Sequence, residues 1–481
     1  MASSSMKRIT ATWIITLMIL FVLAIIFGII LRLNQGNHID LGPREFYSIM
    51  TSHGMTMIGI WTVAGLVAVH YLMQRYVRTS VVLGWGAFAG TVLGVVLLWI
   101  STFIGKFHGG WTFLYPLPFY VAWQKWATPV FLISLSVLTV TWIIWSVGLL
   151  RSVLKIYPLR RALAWPHISR REPAEKTPPF ILISTVTLIG ILVSLATAVI
   201  LFALLFLEFF SDGVIKNDPL LMKNLTYFFG HTVANEALYL GLAVLYELMP
   251  ELSGQPKFKN TWYVALGWNL TMIFILTAFF HHMYMDFVQP EKFQIIGQMA
   301  SYFASLPAAA VTVLSVITLI YRRRIQWPLS NILFLLGITG WVIGGIGALI
   351  DSTISNNILL HNTMWVPAHF HTYNAMGNVL FCLAFFTWVS SREFFPKYND
   401  FRYQKWLSIL LLVGGFGFVL AFYLAGADSI PRRFASYPEE LNTGVMYATM
   451  GACFAVIYLA AMVWLTGDIL KKCIRFLFVR S

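Results

Sequence analysis

The chain has 481 residues, 58% of them hydrophobic and only 11% charged. Soluble globular domains carry charge on about a quarter of their residues, so this composition excludes that class and leaves a multi-span membrane protein. The formal net charge of +14 would suggest nucleic acid in a soluble domain, but its distribution along this chain gives it another meaning.

Twelve apolar runs of about 20 or more residues are long enough to cross a bilayer. They lie near 10–33, 46–73, 82–104, 127–150, 180–207, 222–249, 261–284, 294–320, 328–350, 364–391, 406–427 and 443–470. The first follows Met-Ala-Ser-Ser-Ser-Met-Lys-Arg and reads as a retained helix, not a cleaved signal peptide. The connecting segments alternate in basic charge. With the N-terminus inside, the inside segments hold 24 of the 33 Lys and Arg; the heaviest are 151–176, with seven, and Arg322, Arg323, Arg324. This positive-inside pattern predicts an all-α, multi-pass membrane protein with both termini cytoplasmic and residues 1–481 as one transmembrane domain; a bacterial or archaeal cytoplasmic (inner) membrane is the expected location. The basic runs are topology signals, so lipid is a partner and nucleic acid is not. Outside loops 105–125, 208–221 and 428–442 are rich in Gly, Pro and aromatics and read as ordered caps. Cys382, Cys453 and Cys473 show neither metal-ligand spacing nor a disulfide framework.

Nine of the eleven histidines fall in outside loops or the outer part of a span; only His70 and His167 lie on the inner side. His53 opens span two, His231 lies in the outer half of span six, His281 and His282 close span seven, and His369 and His371 open span ten. Six imidazoles from four helices therefore share one depth. Ionisable groups in a membrane are costly and usually functional, and neutral imidazole suits iron and copper. His369 and His371, two apart, point about 200° away from each other on a helix. Such a pair can serve two metals but not share one. His281 and His282 are about 100° apart and can lean toward one ion, with His231 completing a three-histidine site that keeps an open position. His53 and His371 suit the axial positions of a six-coordinate haem. His369 suits a five-coordinate haem facing the three-histidine metal.

These motifs resemble the catalytic subunit (subunit I) of the haem-copper oxidase superfamily. The resemblance rests on His53-Gly, Gly230-His231, His281-His282 and Trp365-Val-Pro-Ala-His-Phe-His371, and His361-Asn-Thr-Met-Trp-Val-Pro looks most like the B-type branch. It implies two haems, a low-spin haem b and a high-spin haem of open type, and one non-haem metal. It also implies that His361, Arg432 and Arg433 hold haem propionates, in keeping with cations beside carboxylates.

One position departs from the pattern. The oxygen-reducing A and B branches carry a tyrosine four residues after the helix-six histidine, which supplies an electron and a proton to split oxygen. Here that position is Asn235, one turn from His231 on the same face. Glu236, about 100° further round, is expected in the same cavity. Asparagine forms no phenoxyl radical, whereas reducing two NO to N₂O and water has no O–O bond to break. The residues therefore predict a respiratory nitric oxide reductase derived from the B-type branch and acting in denitrification, with Asn235 and Glu236 as catalytic residues. The alternative is a B-type terminal oxidase (cytochrome c or quinol oxidase) with its tyrosine from elsewhere, Tyr239 or Tyr284. A proton-relaying transporter explains neither the shared depth nor the paired spacing. Three imidazoles with an amide favour copper over iron; a carboxylate ligand, for which Glu236 is the candidate, would favour iron. Tyr246 and Glu247 suggest the start of a proton path from the cytoplasm, continued by Ser301 and Tyr302, with Leu242 interrupting it. No clustered cysteines mark a binuclear copper site, so electrons are expected from a partner subunit II (copper or cytochrome c type) or from quinol.

Overall fold

A computed structural model describes residues 3–119, 122–169, 176–395 and 403–478; the chain ends and residues 170–175 of the basic inner loop, named above as topology signals, lie outside the described residues. Among the described residues, twelve helices are long and apolar enough to cross a membrane: α1 Ser4–Gln35, α2 Pro43–Met73, α3 Val81–Ile104, α4 Ala127–Leu154, α5 Pro179–Phe210, α6 Pro219–Leu252, α7 Trp262–Met283, α8 Lys292–Ile320, α9 Leu329–Ser352, α10 Trp365–Phe394, α11 Gln404–Ala427 and α12 Glu439–Phe478. In lipid every backbone N–H and C=O needs an internal partner, which a helix provides. Polar caps start several of them: Ser3 accepts from Met6 N, Asp218 from Leu221 N and Thr261 from Val264 N.

Three of the four ligand-bearing helices are the most deeply buried, and the fourth, α7, is half buried. Of the most apolar window, 89% is buried in α10, 78% in α2 and 67% in α6, against 28% in α3. Close approach makes this possible. A Cβ at Gly65 of α2 would press into Leu240 of α6, one at Gly241 of α6 into Phe381 of α10, and one at Gly340 of α9 into the backbone of Met376 in α10.

Two local departures from regular helix bear on the site. The last turn of α7, Phe279–Met283, is a 3₁₀ turn, so His281 and His282 diverge by about 120° and not the 100° of an α-helix. In α10 a π-helical turn at Asn374–Asn378 follows the two histidines directly; such turns often accompany function. At the end predicted to face outside, an isolated β-bridge joins Thr363 to Pro431. Arg432 N donates to Asn362 O at 2.8 Å and Met364 N to Ile430 O at 2.8 Å, which ties the α11–α12 loop to the start of α10.

Candidate metal and haem centre

His53 on α2 and His371 on α10 face each other with ring centroids 6.5 Å apart and planes 15° apart. That is too far for contact. It is close to what two metal–nitrogen bonds of about 2 Å each and the half-widths of two rings add up to. Each ring is aimed by a backbone carbonyl: Nδ1 of His53 lies 2.7 Å from Ala24 O, and Nδ1 of His371 lies 2.7 Å from Pro367 O. A neutral imidazole that donates from Nδ1 keeps its Nε2 lone pair for a metal. Gly28 of α1 makes room, because a Cβ there would come within 2.8 Å of His53 Cε1.

His231, His281 and His282 form a second group, with one ligand atom from each lying within 4.8 Å of the others. Ring centroids are 4.9 Å apart for His231–His281, 5.3 Å for His231–His282 and 4.1 Å for His281–His282. His281 Nδ1 is 3.0 Å from Ser301 Oγ, so Ser301, expected on a proton path, serves to orient a ring. His231 Nδ1 is buried with no hydrogen-bond partner. An orphaned lone pair of that kind is what a bound ion would satisfy. The residues therefore fit both groups implied by the sequence: an axial histidine pair for a haem, and a three-imidazole site for copper or iron.

Both groups and His369 line one internal cavity of about 370 Å³. At its outer rim stand Arg432 and Arg433. Burial pushes the Arg432 guanidinium down to about 10, and the adjacent Arg433 adds to the effect; such a pair calls for anions. Arg432 donates through Nη2 to Asn362 Oδ1 at 2.9 Å. Asn362 and Arg433 both have left-handed backbone, φ 62° and 69°, which asparagine tolerates and which costs about 1–2 kcal/mol at the arginine. His361 ends the short helix Ile354–Leu360 and does not line the cavity. Sequence reasoning passed over a third cation, Arg32 of α1. It lines the same cavity, and its guanidinium lies 4.3 Å over the Phe422 ring. A single arginine inside the first apolar span was the available signal.

Asn235 stands beside the metal group as expected. Its Nδ2 donates to His231 O at 2.9 Å and lies 3.4 Å from His231 Nε2. Glu236 does not share the cavity: it is fully buried against Gly190 of α5, and neither carboxyl oxygen has a partner. Its 100° offset turns it out of the site. A residue not weighed from sequence takes its place. The Tyr373 hydroxyl, from α10, donates to Asn235 Oδ1 at 3.1 Å, and Tyr373 lines the cavity. Of the two tyrosines weighed from sequence, Tyr239 donates to Ala304 O at 3.2 Å and its hydroxyl also meets that of Tyr373, while Tyr284 donates to Ser352 O at 3.0 Å. Deeper in α6, Tyr246 meets Thr312 at 3.2 Å and Ser315 at 3.5 Å. Glu247 is tied by Arg75 at 2.9 Å and Tyr76 at 2.6 Å, an ionic knot and not an open inlet. Tyr302 pairs with Thr353 at 2.5 Å.

Residues 8–457 match the family described as Cytochrome C and Quinol oxidase polypeptide I. The chain belongs to this family. Among similar proteins, cytochrome c oxidase subunit 1 of Thermus thermophilus is 23% identical, covering 94% of this chain and 81% of the relative. Cytochrome c oxidase polypeptide 1 of Halobacterium salinarum is 24% identical, over 88% and 70%. Cytochrome c oxidase subunit 1 of Synechocystis sp. is 26% identical, over 85% and 73%. A solved heme-copper terminal oxidase dimer superposes with a TM-score of 0.80 at 21% identity, covering 100% of this chain and 85% of that one; it shares the fold. The chain is thus an oxidoreductase subunit of the haem-copper superfamily, polytopic and twelve-helical.

Proposed function

We propose that this oxidase-family subunit reduces O₂ to water at a haem–copper pair as part of a respiratory chain. The observation that carries the reading is the Tyr373 hydroxyl, 3.1 Å from Asn235 Oδ1. It supplies a phenol one hydrogen bond from Asn235, which itself adjoins His231, where the helix-six position has only an amide. The relatives' names, all cytochrome c oxidases, support the same substrate.

In this reading His53 and His371 hold a low-spin haem b, His369 holds a high-spin haem, and His231, His281 and His282 hold copper in preference to iron. When bound, these groups take up the gas and pass it electrons. Around them the chain's own residues do the rest. The backbone carbonyls of Ala24 and Pro367 and the Ser301 hydroxyl hold the ligand rings. Arg32, Arg432 and Arg433 face the haem carboxylates, and Tyr373 offers its proton to the cavity. Electrons come from a subunit II or cytochrome c, or from quinol. The chain works as one domain of a prokaryotic inner membrane, with both termini cytoplasmic.

Asn235 itself favours a second reading, reduction of two NO to N₂O. An amide next to His231 supplies no radical, and NO reduction needs none. Gas electrodes separate the two. With an artificial reductant, the purified complex should consume O₂ at a rate well above its NO consumption. Sustained conversion of NO to N₂O with O₂ left untouched would replace the first reading by the second.

A further inference from the structure

Gly347 and Asp351 lie one turn apart on α9, so they share a face. That face looks onto His369. A Cβ at Gly347 would come within 2.9 Å of His369 Cβ, so the glycine lets α10 approach closely. One turn on, Asp351 Oδ2 lies 3.5 Å from His369 Nε2. Asp351 is 2% exposed, and no Lys or Arg forms an ion pair with it among the described residues. Asn357 Nδ2 donates to Asp351 O at 2.8 Å and lies 3.4 Å from Oδ1. Nε2 of His369 is buried and makes no hydrogen bond, so the Asp351 carboxylate faces it at ion-pair distance only. A buried carboxylate without a directly paired cation is costly; Arg432 and His281 act on it only through space. The polar atom it is aimed at is a ring nitrogen of the histidine read above as the high-spin haem ligand.

We infer that Asp351 is the positioning residue of His369. It accepts the imidazole N–H, fixes which nitrogen is left for iron, and gives the ring anionic character. Contacts of 3.5 Å are at the outer edge of hydrogen bonding, and a charged acceptor strengthens them. A carboxylate behind a metal-bound histidine raises the basicity of that ligand. His53 and His371 are held by neutral carbonyls only. The two haems of one cavity would thus have different ligand strengths, with the oxidised form of the high-spin iron stabilised.

The inference rests on His369 as an iron ligand and not on which gas is reduced, so its test uses no turnover. In the purified holoenzyme, Asp351→Asn should leave the six-coordinate haem spectrum unchanged. It should lower the iron–histidine stretching frequency of the reduced high-spin haem and raise that haem's midpoint potential; Asp351→Glu should restore both in part. Unchanged stretch and potential in Asp351→Asn would overturn the proposal. Haem loading lost in both variants would mark Asp351 as a packing residue and overturn it too. His369→Ala is the control: should it keep the five-coordinate signal, the haem assignment falls first and this proposal with it.

Discussion

At the scale of single residues, the two imidazole groups divide the work by what lies behind each ring. His371 has a carbonyl at its Nδ1 and His53 opposite, 6.5 Å away, while His281 has Ser301 behind it and His231 beside it. His371→Ala should therefore remove the six-coordinate haem signal, whereas His281→Ala should spare it and abolish turnover; reduced-minus-oxidised spectra of both variants check this. Tyr373→Phe removes one hydroxyl from the cavity. It should lower turnover by about 100-fold or more, the scale of a lost proton donor, with both haem spectra intact. A wild-type rate would show that the phenol is only a partner for Asn235. The six histidines were legible in the sequence because their spacing and shared depth need no tertiary information. Tyr373 was not, since its partner Asn235 is 138 positions away and only packing of α10 on α6 brings them together. Glu236 was misplaced because adjacency in sequence cannot say which of two helix faces meets the cavity.

At the scale of the helix, length and apolarity set the twelve spans, and the close crossings set where the ligands meet. α9 lies against α10 through Gly340 and Gly344, at which an added Cβ would overlap the backbone of Met376 and Tyr373. Gly340→Ala should therefore destabilise the subunit by about 1–3 kcal/mol, the usual cost of overpacking. Thermal loss of haem absorbance in detergent measures it, and an unchanged midpoint would mean the crossing is loose. The spans were legible because crossing a bilayer leaves few choices. The 3₁₀ end of α7 and the π turn in α10 were not, because both depend on how neighbouring helices press on a few residues, and regular periodicity carries no trace of them. Their effect is to re-aim side chains, including the pair His281 and His282.

At the scale of the whole molecule, three positively charged groups at one cavity, Arg32, Arg432 and Arg433, match a need for several carboxylates, and two separate histidine groups match a need for a haem iron and a non-haem metal ion. The histidine groups follow from the convergence of α2, α6, α7 and α10, and the arginines reach the same cavity from α1 and the α11–α12 loop. Metal and haem analysis of the purified subunit tests that convergence most directly. The prediction is two haems per chain, one six-coordinate and one five-coordinate, together with one further metal ion, copper in preference to iron. A preparation that is active yet carries a single haem, or no ion beyond the haem iron, would contradict it.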